Sequence, residues 1–341
     1  MVQPFRASAA ARSADPTAGV RPAGPGRNVP GFSVLAGSLI VLAAGVVFSF
    51  GGLAFRLTED ITAWQYVIFR GLGAWIVTTI ILAVRYRGRR RALMDPIEGS
   101  HIVAGVLLGT ISAVFIFALE HASVAFVLFL QTLAPITAAY FSWILLRERV
   151  SRAVIAATVL SAVGVLIMFS ATLTDRIDSL GLVAILIPLI FGLYATLIRG
   201  ANNIDAQVPV VVAGITLALL GIAGAYLTGG FDVSLRDAMI GLFAGSFLLA
   251  IPVTFLNHAT RVVPAPEVAL LLMSEVILAP VWVWLFVNES VQATTLIGGS
   301  VILAAVLGLL MWRRARAVSV RAESRRAAAA TSSDDGRRTR G

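Results

Sequence analysis

The chain has no cysteine and no lysine in 341 residues, only three histidines, and charged residues make up just 13%. The first absence excludes disulfides and thiolate metal sites. The second excludes a phosphate-binding Gly-x-x-x-x-Gly-Lys-Ser/Thr loop, and with it an ATPase motor of that kind. Long polar stretches between apolar runs are missing too, so no extramembrane catalytic domain has room to fold. What remains is apolar: 58% of residues, with a mean hydropathy of +0.89. No soluble domain of this length can hide that much apolar surface in one core. The pattern is that of an integral membrane protein, and whatever it does must happen between its helices.

A helix crossing a hydrocarbon core of about 30 Å needs about 20 apolar residues. Ten segments meet that test: 32–55, 63–84, 101–119, 123–146, 153–171, 180–198, 208–227, 238–256, 264–287 and 293–312. Continuous apolar runs rather than alternating strands rule against an outer-membrane barrel. The flanking stretches 1–31 and 313–341, rich in Ala, Arg and Ser, are expected to be disordered tails.

All 27 basic residues are arginine, as a GC-rich codon supply would give, and their placement sets the orientation. With both tails cytoplasmic, 23 arginines fall inside, including the Arg85–Arg91 cluster. Three fall outside, namely Arg56, Arg176 and Arg236, and Arg70 stays within a helix. The expected location is a bacterial cytoplasmic membrane, crossed many times.

A duplication runs through this arrangement. Ala138–Glu148 and Ala279–Glu289 share a Trp-x4-Glu ending 141 residues apart, and at the same spacing Val127/Val268, Leu130/Leu271, Ile136/Ile277 and Val165/Val306 are identical. Residues 32–171 and 178–312 therefore read as two five-helix repeats. Five is odd, so the second must be inverted relative to the first, a pattern that points to transporters.

Charges inside hydrocarbon cost roughly 2.5–3.5 kcal/mol at the bilayer centre and need a reason. Glu275 lies about 16 Å into the ninth segment, and Arg70 enters the second from the opposite face by roughly 10 Å. Glu275 reads as a carboxylate that titrates or binds a substrate amine, or as a structural group neutralised by Arg70. Arg70 reads as a trap for a substrate carboxylate or as an interhelical strut. Gln131 and Thr132 sit mid-segment and line a polar path or bond between helices. Pro135 and Pro280 remove backbone bonds in the fourth and ninth segments and are expected to kink both as gates. Glu267 reads as a first-turn carboxylate, Glu148 and Glu289 as caps or loop pins, His258 as an interfacial residue. The Gly105/Gly109 and Gly241/Gly245 runs suit close helix packing.

The chain resembles the drug/metabolite transporter superfamily, specifically bacterial EamA-like permeases. The likeness rests on Phe117-Ala-Leu-Glu-His-Ala-Ser-Val-Ala-Phe126, Leu133-Ala-Pro135 and Leu145-Leu-Arg-Glu-Arg-Val150, on a weaker second copy at 257–308, and on Arg70. It implies ten helices in two inverted repeats around a central cavity, moving amino acids or related small solutes by alternating access, commonly outward. Glu275 falls within the second copy but is not a hallmark of the family, and its role rests on burial alone. The expected partners are a small-molecule substrate, protons where transport is coupled, and lipid; a homodimer is compatible, and no nucleic acid, metal or cofactor is expected. Rival readings are a passive facilitator, an intramembrane enzyme and a membrane scaffold. An enzyme would need a nucleophile and base or a metal cluster at one depth, and three scattered histidines supply neither.

Overall fold

The computed structural model describes residues 33–86, 99–122, 124–148, 150–169, 179–200, 207–228, 230–287 and 297–312, with 293–294, 315–316 and 319. Residues 1–31, most of 313–341, Arg87–Arg91, Arg176, Glu289 and the side chain of Pro280 lie outside the described residues. Everything regular within them is helical. Six helices are long and apolar enough to span a membrane: α1 (Val34–Arg56), α2 (Ala63–Arg85), α3 (Gly99–His121), α7 (Leu180–Gly200), α8 (Val208–Thr228) and α9 (Leu235–Thr260). They lie where the sequence places them, within a few residues.

The fourth and ninth segments are each in two pieces. The fourth comprises α4 (Val124–Gln131) and α5 (Ala134–Leu146), the ninth α10 (Ala265–Leu271) and α11 (Ser274–Val287). α6 (Arg152–Phe169) and α12 (Ile297–Trp312) are shorter apolar helices.

Local chemistry explains the starts. Ser33 caps α1 through Ala36 N–H, and Ser234 caps α9 through Asp237 N–H. Thr62 and Gln65 form a reciprocal capping box at α2, and the Gln65 amide also reaches Gly230 O and Asp232 O.

Both breaks are turns of tightened i→i+3 bonds, Leu133 N–H to Leu130 O in one and Met273 N–H to Leu270 O in the other. They fall within one residue of the 141 spacing. In the first, Pro135 occupies the opening turn of α5, where its missing N–H has no intrahelical partner to lose. In the second the break lies at Leu272–Met273, and α11 continues as helix past Pro280. That turn seats against Gly45 of α1, where any Cβ would strike Ser274 Oγ. The missing side chain at 45 gives the irregular backbone its space.

Helix pairing is reciprocal between the halves. α3 packs on α8 as α2 packs on α9, α3 on α7 as α1 on α9, and α5 on α7 as α1 on α10 and α11. α2 meets α8, a pairing that maps on itself under the same exchange, and the fourth segment meets the ninth through α5 and α10. Glycine permits the tightest approaches. A Cβ at Gly214 would run into Trp75 N and Gly71 O, and one at Gly245 into the Arg70 carbonyl. Gly105 and Gly109 press on α8, and Gly241 and Gly245 on α2, so both runs serve the packing expected of them. Outward faces carry exposed apolar residues such as Ile80, Val84, Leu219 and Ile222, as contact with lipid requires.

Candidate functional site

Where the halves meet, a cavity of about 120 Å³ opens between α1, α2, α3, the two broken segments, α7 and α9. Its walls follow the duplication: Leu108, Ser112, Phe115, Gln131 and Ala134 line it from the first half, and Leu249, Val253, Leu256, Leu272 and Glu275 line it from the second, each 141 residues on. Phe48, Phe191 and Tyr194 contribute aromatic surface, and the Tyr194 hydroxyl donates to Asn257 Oδ1.

The structure brings Arg70, Glu275 and Gln131 together on this one cavity. Arg70 is 5% exposed, and its electrostatic neighbours are Tyr66 and Glu275. The two opposite charges make no direct ion pair among the described residues. Glu275 sits in the first turn of α11 rather than deep in a continuous helix, so its carboxylate faces the positive end of a half-helix dipole. The helix break just before it carries no proline or glycine, and nothing in the local sequence announces it. Thr132 is buried but is not part of the cavity wall. Pro135 is buried beside the cavity, with its neighbour Ala134 on the wall. Pro280 lies in the second turn of α11, five residues beyond Glu275.

A second cavity of about 210 Å³ lies further along the same helices, lined by Ser142, Glu148, Val150, Ser151, Val154, Arg199, Pro264, Pro266 and Glu267. Between the two sits a small-residue plug of Ala134, Ala138, Ala195, Ala265 and Ala269, drawn from α5, α7 and α10. Ala134 and Ala269 face the first cavity, and Gly192 brings α7 onto the backbone of Thr137 and Ala138. Beyond the plug, Arg199 Nε donates to both Glu148 carboxylate oxygens at 2.9 and 3.0 Å. Its Nη1 donates to the Thr260 and Arg261 carbonyls, so one side chain ties α5, α7 and the end of α9. Arg147, left-handed at φ 54°, turns the chain so that Glu148 faces this partner.

At the opposite end, Trp282 Nε1 donates to Ser49 Oγ at 2.7 Å, and its ring stacks on Phe50 at 4.4 Å. Arg236 pairs with Glu59, and Glu120 accepts from Ala63 N–H. Sequence reasoning did not single out Ser112, Tyr66, Asn257 or Arg199 as site residues; Ser112 and Tyr66 carry no pattern beyond being polar within apolar runs. His258 stays on α9 with its Nδ1 at 2.9 Å from Thr254 O, and Glu267 occupies the first turn of α10.

Comparisons with known proteins agree with this architecture. No curated protein matches the sequence significantly. Among solved structures, 29 chains match, and one, described only as a protein crystal structure, aligns with a TM-score of 0.64. At 15% identity over 80% of this chain and 98% of that one, it speaks for the fold alone. The family model described as EamA-like transporter family matches twice, over residues 35–170 and 179–311. A multi-pass helical chain whose two halves each match that model, closed around a cavity between them, belongs to the EamA-like transporter family, a family of transporters of small solutes rather than of enzymes.

Proposed function

We propose that the chain is a secondary transporter that crosses the membrane ten times in two inverted repeats and exports small organic metabolites, amino acids or related solutes, by alternating access. Both tails then face the cytoplasm of a bacterial cell, and the arginine-rich ends and the Arg199 cluster lie on the cytoplasmic side. The observation that carries this reading is a cavity shared by the two repeats, with Arg70 from one half and Glu275 from the other on its wall. Neither charge could face lipid cheaply, since each would cost roughly 2.5–3.5 kcal/mol at mid-membrane. The reciprocal helix contacts support the inverted arrangement, because five helices per half turn the second copy over.

Glu275 is the coupling group in this reading. Desolvation favours its neutral form, while Arg70 and water in an open cavity favour the charged one, so its protonation follows the side to which the cavity opens. Proton and substrate compete for it. The alanine plug and the Glu148–Arg199 tie close one path between the cavity and the cytoplasm, as a state closed inward requires.

The test uses purified protein in proteoliposomes, with the solute found by comparing metabolites retained by deletion and overexpressing cells. Glu275→Gln is expected to keep passive exchange and to lose accumulation driven by a pH gradient. Undiminished pH-driven transport would make Glu275 structural and place the coupling on another group.

A further inference from the structure

Two polar side chains of the first repeat line the cavity with donors that meet no acceptor, and a third stands behind them. Arg70 and Ser112 are each 5% exposed and line it, and the fully buried Tyr66 hydroxyl neighbours the Arg70 guanidinium. Arg70 Nε and Nη1 and Ser112 Oγ have no hydrogen-bond partner among the described residues, while Tyr66 stands against the guanidinium as its polar neighbour. Buried polar atoms are rarely left so, and a group of them at one cavity points to a ligand that completes them.

The surroundings hold the arginine in place. The middle of α9 widens into a π-helical turn over Ala244–Ala250, and Gly245 there rests on the Arg70 carbonyl while Ser246 Oγ donates to Gly73 O. On the other side Gly71 abuts Leu217 and Ala218 of α8. The backbone at Arg70 is thus gripped from both sides, and its side chain carries the planar fork whose geometry suits a carboxylate. The second repeat offers nothing comparable: the residues 141 positions on from Arg70 and Ser112 are Val211 and Val253. Arg70 is the one cation among the residues that line the cavity, so an anion there has it as partner.

We propose that Arg70, Tyr66 and Ser112 form a carboxylate subsite, and that the solutes carried are small organic carboxylates whose body packs on Leu108, Ile111 and Phe115. The proposal rests on the transporter reading and adds to it the functional group that every substrate must carry.

The experiment compares compounds released into the medium by cells expressing the wild-type chain, Tyr66→Phe, Ser112→Ala, Arg70→Lys, or an empty vector. Flux of each released compound and of its carboxamide is then measured in proteoliposomes. Every compound whose release needs the wild-type chain is expected to carry a carboxylate. Its carboxamide is expected to move about 100-fold more slowly, as when a charged partner is left unmatched. Tyr66→Phe and Ser112→Ala, which each lose one hydroxyl, are expected to raise KM about tenfold with little change in maximal rate. Arg70→Lys, which keeps the charge and loses the fork, is expected to narrow the preference for acid over amide; a purely structural role would leave that ratio unchanged. Release of carboxylate-free solutes, or equal flux of acid and carboxamide, overturns the subsite and leaves the transporter reading standing. Identical release from wild-type and vector cells overturns both.

Discussion

The two walls of the cavity are copies in backbone and opposites in chemistry. Leu108, Phe115 and their twins Leu249 and Leu256 are apolar on both sides, but the twin of Ser112 is Val253, that of Gln131 is Leu272, and that of Ala134 is Glu275. The first half thus supplies donors and the second a single carboxylate. Duplication fixes where a wall residue can sit, because the helix, its break and its packing partners are shared. It does not fix what that residue is, since a cavity that binds an asymmetric solute gains nothing from symmetric groups. Packing positions behave differently from wall positions. Gly105 on α3 and its twin Ser246 on α9 are both small, and each lies against a helix of the other half, at Val212 and at Gly73.

The largest effect is therefore expected from bulk at those packing twins. Gly105→Leu and Ser246→Leu each drive a side chain into a neighbouring helix, where overpacking costs about 3 kcal/mol or more. Both should lose monodisperse, folded protein on purification to a similar degree. Normal yield for one and collapse for the other would show that the halves are not equivalent scaffolds.

How much of this is legible in the sequence follows the same division. Spans, the duplication and the turning of Arg70 and Glu275 away from lipid follow from hydropathy and charge, which act residue by residue through transfer free energy. The Gly105/Gly109 and Gly241/Gly245 runs are also readable, because close approach leaves small residues at helical spacing. The break at Leu272–Met273 is not, since it depends on the space left by Gly45 on a helix more than 220 positions away. Pro280 draws attention to the wrong turn of the same segment. Tyr66 and Ser112 are silent for a related reason: a hydroxyl in an apolar helix is ordinary, and only the fold shows that theirs open beside a gripped arginine.

A smaller, more specific effect is expected when the asymmetry itself is transposed. In the double variant Ala134→Glu/Glu275→Ala the carboxylate moves to the twin position, on the same wall as Gln131 and Ser112. The cavity keeps its net charge and nearly its volume, so folding should persist. pH-driven flux should fall about 100-fold, because the charge is no longer in the first turn of α11 or opposite the donors. Full activity in the transposed variant would mean that any carboxylate in the cavity suffices and that the division of donors and acceptor between the walls is incidental.

The smallest effects separate the two ends of the molecule. Arg199 is 12% exposed, grips both oxygens of Glu148 and reaches two carbonyls, whereas Arg236 and Glu59 are 57% and 70% exposed. A pair in water gains little Coulomb energy and pays for ordering two long side chains, so its worth is about 0.5 kcal/mol. A partly buried, two-pronged pair with further carbonyl acceptors is worth roughly 1–2 kcal/mol. Double-mutant cycles in detergent, using Arg199→Gln with Glu148→Gln and Arg236→Gln with Glu59→Gln, should return coupling energies in that order. Only the first pair bridges the helices that form the alanine plug, so Arg199→Gln should also speed solute leak past that end while Arg236→Gln leaves it alone. Equal coupling in both cycles with no change in leak would remove the Arg199 tie from the closed path and leave the plug to hold it through α5–α7 packing at Gly192 alone.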